Sequence, residues 1–160
     1  MNFSTQITPL VLEGNFYQDG KIVQDTLVTT GRPALPTDIG AMKILSKNSP
    51  WRMRSPWPRG SPYWYPDSYV HKVVWFTVTG EGLHDAPWQS SMYGPGGQFT
   101  ANASHGCIHV QMAAENFLYD WSKVGTAVVV YPGDGSPVSE QMKQVSVDAR
   151  GVPFTGPKGA

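Results

Sequence analysis

Short apolar runs punctuated by Gly and Pro dominate the chain, and a helical period appears in one stretch. Near the start, Asn15-Phe16-Tyr17 and Lys21-Ile22-Val23 flank Gln18-Asp19-Gly20. This reads as a β-hairpin, because an Asp-Gly pair tolerates the positive φ angles of a type I′ turn. Residues 26–30 continue as a strand, 31–40 form a Pro/Gly loop, and 41–45 make a further short strand. Residues 70–79 contain Val73-Val74-Trp75-Phe76, and 127–131 are a second such run; both have the continuous apolar character of buried strands. Between 111 and 123, Ala113, Ala114, Phe117, Leu118 and Trp121 fall on one helical face, and Gly125 is placed to end the helix.

Two segments lack a period. Residues 49–69 are rich in Pro, Trp, Arg and Tyr and are expected to form an ordered excursion over a groove. Residues 89–103 carry Gly94, Gly96 and Gly97 and are expected to be a mobile loop. The expectation is a mainly β domain over residues 1–131 with one principal helix, followed by a Gly/Pro-containing tail over 132–160.

Bulk properties narrow the function classes. The chain has 160 residues, a length that suits one domain. Lys plus Arg and Asp plus Glu balance at 12 each, which leaves no electrostatic footprint for nucleic acid or an anionic membrane. No apolar run approaches the roughly 20 residues that span a bilayer. Residues 1–8 lack the basic and apolar regions of a signal peptide, so the chain is expected to be soluble as given. Six Trp and seven Tyr are many for this size and are expected in the core or in a groove wall, with a sugar- or peptide-binding surface as the alternative. A single cysteine precludes an intramolecular disulfide.

The chemistry concentrates in Ser104-His105-Gly106-Cys107-Ile108-His109. In an extended chain His105, Cys107 and His109 would share a face. A second segment, Gly82-Leu83-His84-Asp85-Ala86-Pro87-Trp88, follows the buried strand and puts His84 at a strand end, where a rigid scaffold can aim it at a cleft. A free thiol is mostly protonated at neutral pH, so a nucleophilic cysteine needs an imidazole to take its proton and return it to a leaving amine. Backbone N–H groups beside the nucleophile would stabilise the oxyanion, and Gly106 lets the backbone approach a substrate without a Cβ in the way. Two other functions fit the same residues. His84, His105, Cys107 and His109 are all potential zinc ligands, although their spacing is not that of a zinc-finger knuckle. The Trp/Tyr-rich 51–69 stretch would suit a non-catalytic wall- or glycan-binding module, which has no need of a reactive thiol.

Over roughly residues 15–131 the chain resembles the YkuD-type L,D-transpeptidases. Ser104-His105-Gly106-Cys107 matches the signature of that family, and His84-Asp85-Ala86-Pro87-Trp88 is similar to its His-x-Ala-Pro-Trp form. Gly31-Arg32-Pro33 through Pro36-Thr37 to Gly40 resembles the strip before the family's core strands, and residues 125–131 resemble its closing strand. The resemblance implies a β-sandwich or barrel-type domain with its principal helix after the cysteine. It implies Cys107 as nucleophile toward the carbonyl between the third and fourth residues of a peptidoglycan stem peptide, and His84 as general base. His105 would shape the site, and the N–H groups of Gly106 and Cys107 would form the oxyanion hole.

Ser104, His109, Trp88 and Tyr93 are the further candidates for substrate binding. The terminal D-amino acid would leave, and an amine from a second stem, or water, would take the acyl group. No cofactor and no metal is implied. Stem peptides and carbapenem β-lactams are the implied partners, the state a monomer, and the location extracytoplasmic. The family usually has Arg or Asn two residues beyond the cysteine, where this chain has His109, and the departure bears on how the substrate carboxylate is held. Position 42 is Met where an aromatic is common. The stretch from His84 to Cys107 is longer than usual, with the Gly-rich segment absorbing the excess. Some members use a Tyr near the oxyanion, for which Tyr63, Tyr65 and Tyr69 are candidates.

Overall fold

The computed structural model describes residues 2–7, 12–131 and Pro137; the rest of the expected tail lies outside them. Nine strands form one curled, half-barrel sheet in the order β4-β11-β1-β2-β3-β10-β9-β8-β5. In chain order these are β1 (Asn2–Ile7), β2 (Leu12–Gln18), β3 (Lys21–Thr29), β4 (Gly40–Lys43), β5 (Ser46–Asn48), β8 (Val73–Trp75), β9 (Gly82–Asp85), β10 (Ile108–Val110) and β11 (Ala127–Tyr131). β6 (Trp51–Met53) and β7 (Ser68–Val70) make a separate two-stranded ribbon. Among the described residues there is one α-helix, α1 (Met112–Trp121). It is not long and apolar enough to cross a membrane.

The expected hairpin is present. Asp19 and Gly20 join β2 to β3 with φ of 52° and 74°, the positive pair of a type I′ turn. The predicted strand at 26–30 is the continuation of β3, and the one at 41–45 runs from Gly40 to Lys43.

The predicted strand at 70–79 is broken in two. Asp85 Oδ1 accepts the His71 and Lys72 N–H groups, both at 2.9 Å, and pulls the chain into a turn between β7 and β8. Asp85 Oδ2 lies 2.8 Å from His71 Nδ1. One buried carboxylate thus ties the foot of the ribbon to the end of β9.

The helix packs over β3, β8 and β9. Ala114 and Leu118 point into a core with Phe16, Val28, Val74, Phe76, Leu83, Ile108 and Val110. Phe16 stacks on Phe117 at 5.9 Å and on Trp121 at 6.0 Å. Ala113, expected on the apolar face, is exposed, while Glu115 is fully buried. Gly125 does not end the helix. The chain leaves it at Ser122, which is extended (ψ 159°), and Lys47 Nζ donates to the carbonyls of Tyr119 and Ser122. Gly125, at φ 93°, instead turns the chain into β11.

The Gly-rich 89–103 segment is expected to be mobile, yet its first part, residues 89–94, is bonded to β3. Gly94 N–H donates to Val28 O at 2.9 Å, Thr29 Oγ1 to Met92 O at 3.2 Å, and Gln89 Nε2 to Thr29 Oγ1 at 2.8 Å. Its glycines serve close approach: a Cβ on Gly97 would meet Met92 O at 2.5 Å.

Candidate active site

A groove of about 1410 Å³ runs between the 51–69 arm and the sheet, and its lining includes His84, Trp88, His105, Cys107 and His109. β9 and β10 run parallel, with His84 opposite His109 and Leu83 opposite Ile108. This register makes the two imidazoles cross-strand neighbours, their rings 4.9 Å apart, while Leu83 and Ile108 anchor the same strands in the core. Trp88 lies 6.1 Å from His84 and 5.7 Å edge-on from His109.

The tautomer of each imidazole follows from its partner. His84 Nδ1 lies 2.7 Å from Asp85 O, a pure acceptor, so Nδ1 carries the proton and Nε2 keeps its lone pair. His109 Nδ1 lies 2.8 Å from Gln89 Oε1, and the Gln89 amide is oriented by its donation to Ser91 O. His109 therefore has the same tautomer. Burial holds the His84 pKa below its ordinary value, against its bond to the Asp85 backbone and the Asp85 charge. Burial pushes His109 well below, reinforced by His84 and His105. Both rings are neutral at pH 7, which suits a proton acceptor and leaves His109 without the charge to grip a carboxylate.

Cys107 is half-buried against Met53, Val70 and Val73, with Sγ 3.9 Å from Gly80 O. Burial pushes its thiol up to about 12; a Gly82 backbone hydrogen bond opposes this, and the Glu81 carboxylate adds to it. The nucleophile candidate thus rests as a thiol.

The turn before it is built from the signature. Ser104 Oγ accepts the Gly106 N–H at 3.0 Å and donates to Cys107 O. Thr37 Oγ1 donates to Gly106 O at 2.7 Å, and Arg32 Nε and Nη2 donate to Ser104 O and Ala103 O at 3.1 and 2.7 Å. Gly106 has φ 129°, and a Cβ there would meet Glu81 Oε1 at 2.7 Å, so no other residue fits without displacing that carboxylate. The Gly106 N–H, expected in an oxyanion hole, is instead bound to Ser104 inside the turn.

The positive φ at Gly106 also breaks the expected alternation of 105, 107 and 109, and strand pairing starts only at Ile108. His105 turns to the arm, where its ring lies 4.8 Å from Tyr65 and 5.4 Å from Trp57. Burial lowers its pKa, the Arg32 charge adds to this, and a hydrogen bond to the Tyr63 backbone opposes it.

Among the three tyrosine candidates, Tyr65 is the one packed on the same buried cluster as Cys107. Its phenol is raised to about 12 by burial, then by Cys107 and Asp67. Tyr69 is exposed beneath Arg52. Tyr93, expected in the groove wall, lines a separate depression of about 290 Å³ beside the start of α1.

Sequence reasoning gave no role to Glu81 or Gln89, and met Arg32 and Thr37 only within the strip that resembles the family's. Their roles depend on long-range contacts that leave no local period. Among the described residues no group of three or more His, Cys, Asp or Glu side chains could hold a metal ion, so the zinc alternative lacks a ligand set.

Comparison with known proteins matches residues 12–130 to the L,D-transpeptidase catalytic domain, YkuD. L,D-transpeptidase 1 of Mycobacterium tuberculosis (strain ATCC 25618 / H37Rv) is 30% identical over 116 residues, 71% of this chain and 44% of that protein. Probable L,D-transpeptidase 3 of the same strain is 34% identical over 103 residues, 62% of this chain and 36% of that protein. The chain therefore spans less than half the length of these relatives. Among solved structures, the catalytic domain of an E. faecium L,D-transpeptidase superposes with a TM-score of 0.68 at 28% identity, covering 81% of this chain and 95% of that one. An L,D-transpeptidase in complex with imipenem superposes with a TM-score of 0.68 at 26% identity, covering 81% and 57%.

Proposed function

The chain belongs to the L,D-transpeptidase catalytic domain (YkuD) family, and from that premise we propose that it is a peptidoglycan L,D-transpeptidase working through a Cys107 acyl-enzyme. The observation that carries this reading is that Cys107 and His84 line one groove, with His84 Nδ1 committed to Asp85 O so that Nε2 keeps its lone pair.

His84 Nε2 takes the Cys107 proton as Sγ bonds to the carbonyl carbon of the third stem residue. The tetrahedral intermediate collapses, His84 returns the proton to the departing amine of the terminal D-amino acid, and a thioester remains. An amine from a second stem attacks this thioester, gives up its proton and releases the thiol; water in its place makes the reaction a carboxypeptidase step. The Cys107 N–H is the oxyanion donor, since that of Gly106 is held by Ser104. His105 is held by Trp57 and Tyr65 and fixes the arm against the nucleophile's turn. Trp88 and His109 wall in His84 and limit water at the base. The proposed substrates lie outside the cytoplasmic membrane, so the domain would act there.

Carbapenems bind by the same attack on a strained carbonyl. Intact-mass spectrometry should find the full mass of one carbapenem on the wild-type chain and none on Cys107→Ala, which should also lose turnover of a tetrapeptide stem while keeping its circular dichroism. An adduct that persists in Cys107→Ala, or none on a wild-type chain whose thiol still titrates, would overturn the assignment.

A further inference from the structure

The donor ends in a free carboxylate, and a groove that removes it from water must supply a partner. Three arginines line the groove: Arg32, Arg52 and Arg54. Two are committed within the fold. Arg32 donates to the carbonyls of Ala103 and Ser104, fixing the turn before Cys107. Arg52 pairs with Asp67 and lies over the Tyr69 ring. Arg54 is exposed, and among the described residues its guanidinium has no hydrogen-bond, ion-pair or ring partner. Its backbone, in contrast, is fixed. Met53, its neighbour, is buried in the cluster on which Cys107 packs. The Tyr65 hydroxyl donates to Arg54 O at 3.1 Å, and the Tyr65 ring lies 4.8 Å from His105. An uncommitted cation thus stands on an anchored segment in the wall of the groove that Cys107 also lines. His109 cannot take that part, with Nδ1 spent on Gln89 and its ring between His84 and Trp88.

We propose that Arg54 is a specificity-determining residue that binds the terminal carboxylate of the donor stem peptide, an inference that rests on the transpeptidase reading above. A guanidinium presents a planar fork of donors that matches a carboxylate bidentately. The arm thereby selects donors with a free acid end, while the sheet supplies the reacting groups.

The test compares a tetrapeptide stem with its C-terminal amide, in wild type, Arg54→Met and Arg54→Lys, following acyl-enzyme by mass and kcat/KM by leaving-group release. Wild type should prefer the acid. Arg54→Met should lose roughly 10- to 100-fold on the acid, mostly in KM, and almost nothing on the amide. Arg54→Lys should recover part of the loss, and unchanged melting temperatures should exclude unfolding. An Arg54→Met enzyme that keeps the wild-type preference, or loses equally on both donors, overturns the proposal while leaving the transpeptidase reading intact. A wild-type chain that forms no acyl-enzyme with either donor overturns both.

Discussion

The β9–β10 floor and the 51–69 arm meet at Cys107 and are built on opposite terms. On the floor His84 and His109 are 2% and 4% exposed, flanked by Leu83 and Ile108 at 0%, and each ring has one nitrogen fixed by a defined acceptor. On the arm Trp51, Trp64 and Tyr69 are 40%, 36% and 63% exposed, and Arg59 lies over the Trp64 ring at 5.2 Å. Proton transfer demands one tautomer in one place, which dehydration and strand register supply. Recognition of a peptide, the role proposed for the arm, would need broad amphipathic surface, which aromatic contacts worth about 0.5–1.5 kcal/mol each can hold. Truncating a core residue such as Leu83 costs about 2–5 kcal/mol. A substitution on the exposed face of the arm should therefore disturb the fold less than one in the floor.

The largest expected break in this contrast is His84→Ala, which should cut kcat/KM by roughly two to four orders of magnitude. Single-turnover acylation followed by mass spectrometry checks it, and a loss under tenfold would remove His84 as the base. Next comes the protonation state of the pair. With the Cys107 thiol up at about 12 and His84 lowered, the resting pair is neutral. Alkylation by iodoacetamide should then climb about tenfold per pH unit between about pH 7 and 10. A plateau near neutrality would mean a thiolate–imidazolium ground state.

On the arm, Trp57→Ala removes one ring contact to His105 and should raise KM by roughly two- to tenfold, with a smaller change in kcat. A kcat collapse like that of His84→Ala would erase the distinction between arm and floor.

The smallest effect lies beneath the floor. Glu115 is 0% exposed, and neither carboxylate oxygen has a hydrogen-bond partner among the described residues. Burial, with Asp85 adding and Lys72 and Lys47 opposing, raises its pKa well above the ordinary 4.5. An acid raised on folding contributes stability that is full below its unfolded pKa and is lost as pH rises through the folded one. Glu115→Gln should therefore melt about 2–4 °C higher than wild type at pH 8, near 1 kcal/mol, and equally at pH 4. Calorimetry at the two pH values checks this, and a pH-independent difference would contradict it.

Much of the floor was legible from sequence. The Asp19-Gly20 turn, the Val73–Trp75 and Ala127–Tyr131 strands and the buried side of α1 follow from local period and turn chemistry. The Ser104-to-Cys107 signature and His84 were visible because their residue types are rare together. The hidden parts are those that distant residues decide. Asp85 splits one apolar run into two strands, Ser104 takes the Gly106 N–H, and Tyr93 turns away from the groove. Glu115 occupies a helical position that periodicity would give to an apolar side chain.

The parallel pairing of β9 with β10 has a consequence for the order of assembly. Parallel neighbours cannot be joined by a tight turn, so residues 86–107 must first cross over before His84 and His109 come into register. Loop closure has to precede the contacts that reward it, which makes such pairings slow relative to local hairpins like β2–β3. Until that crossover closes, His84 and Cys107 do not share the groove that they line in the folded chain. The candidate site is thus expected to assemble after local hairpins such as β2–β3, so a partly folded chain would carry the motif without the groove around it.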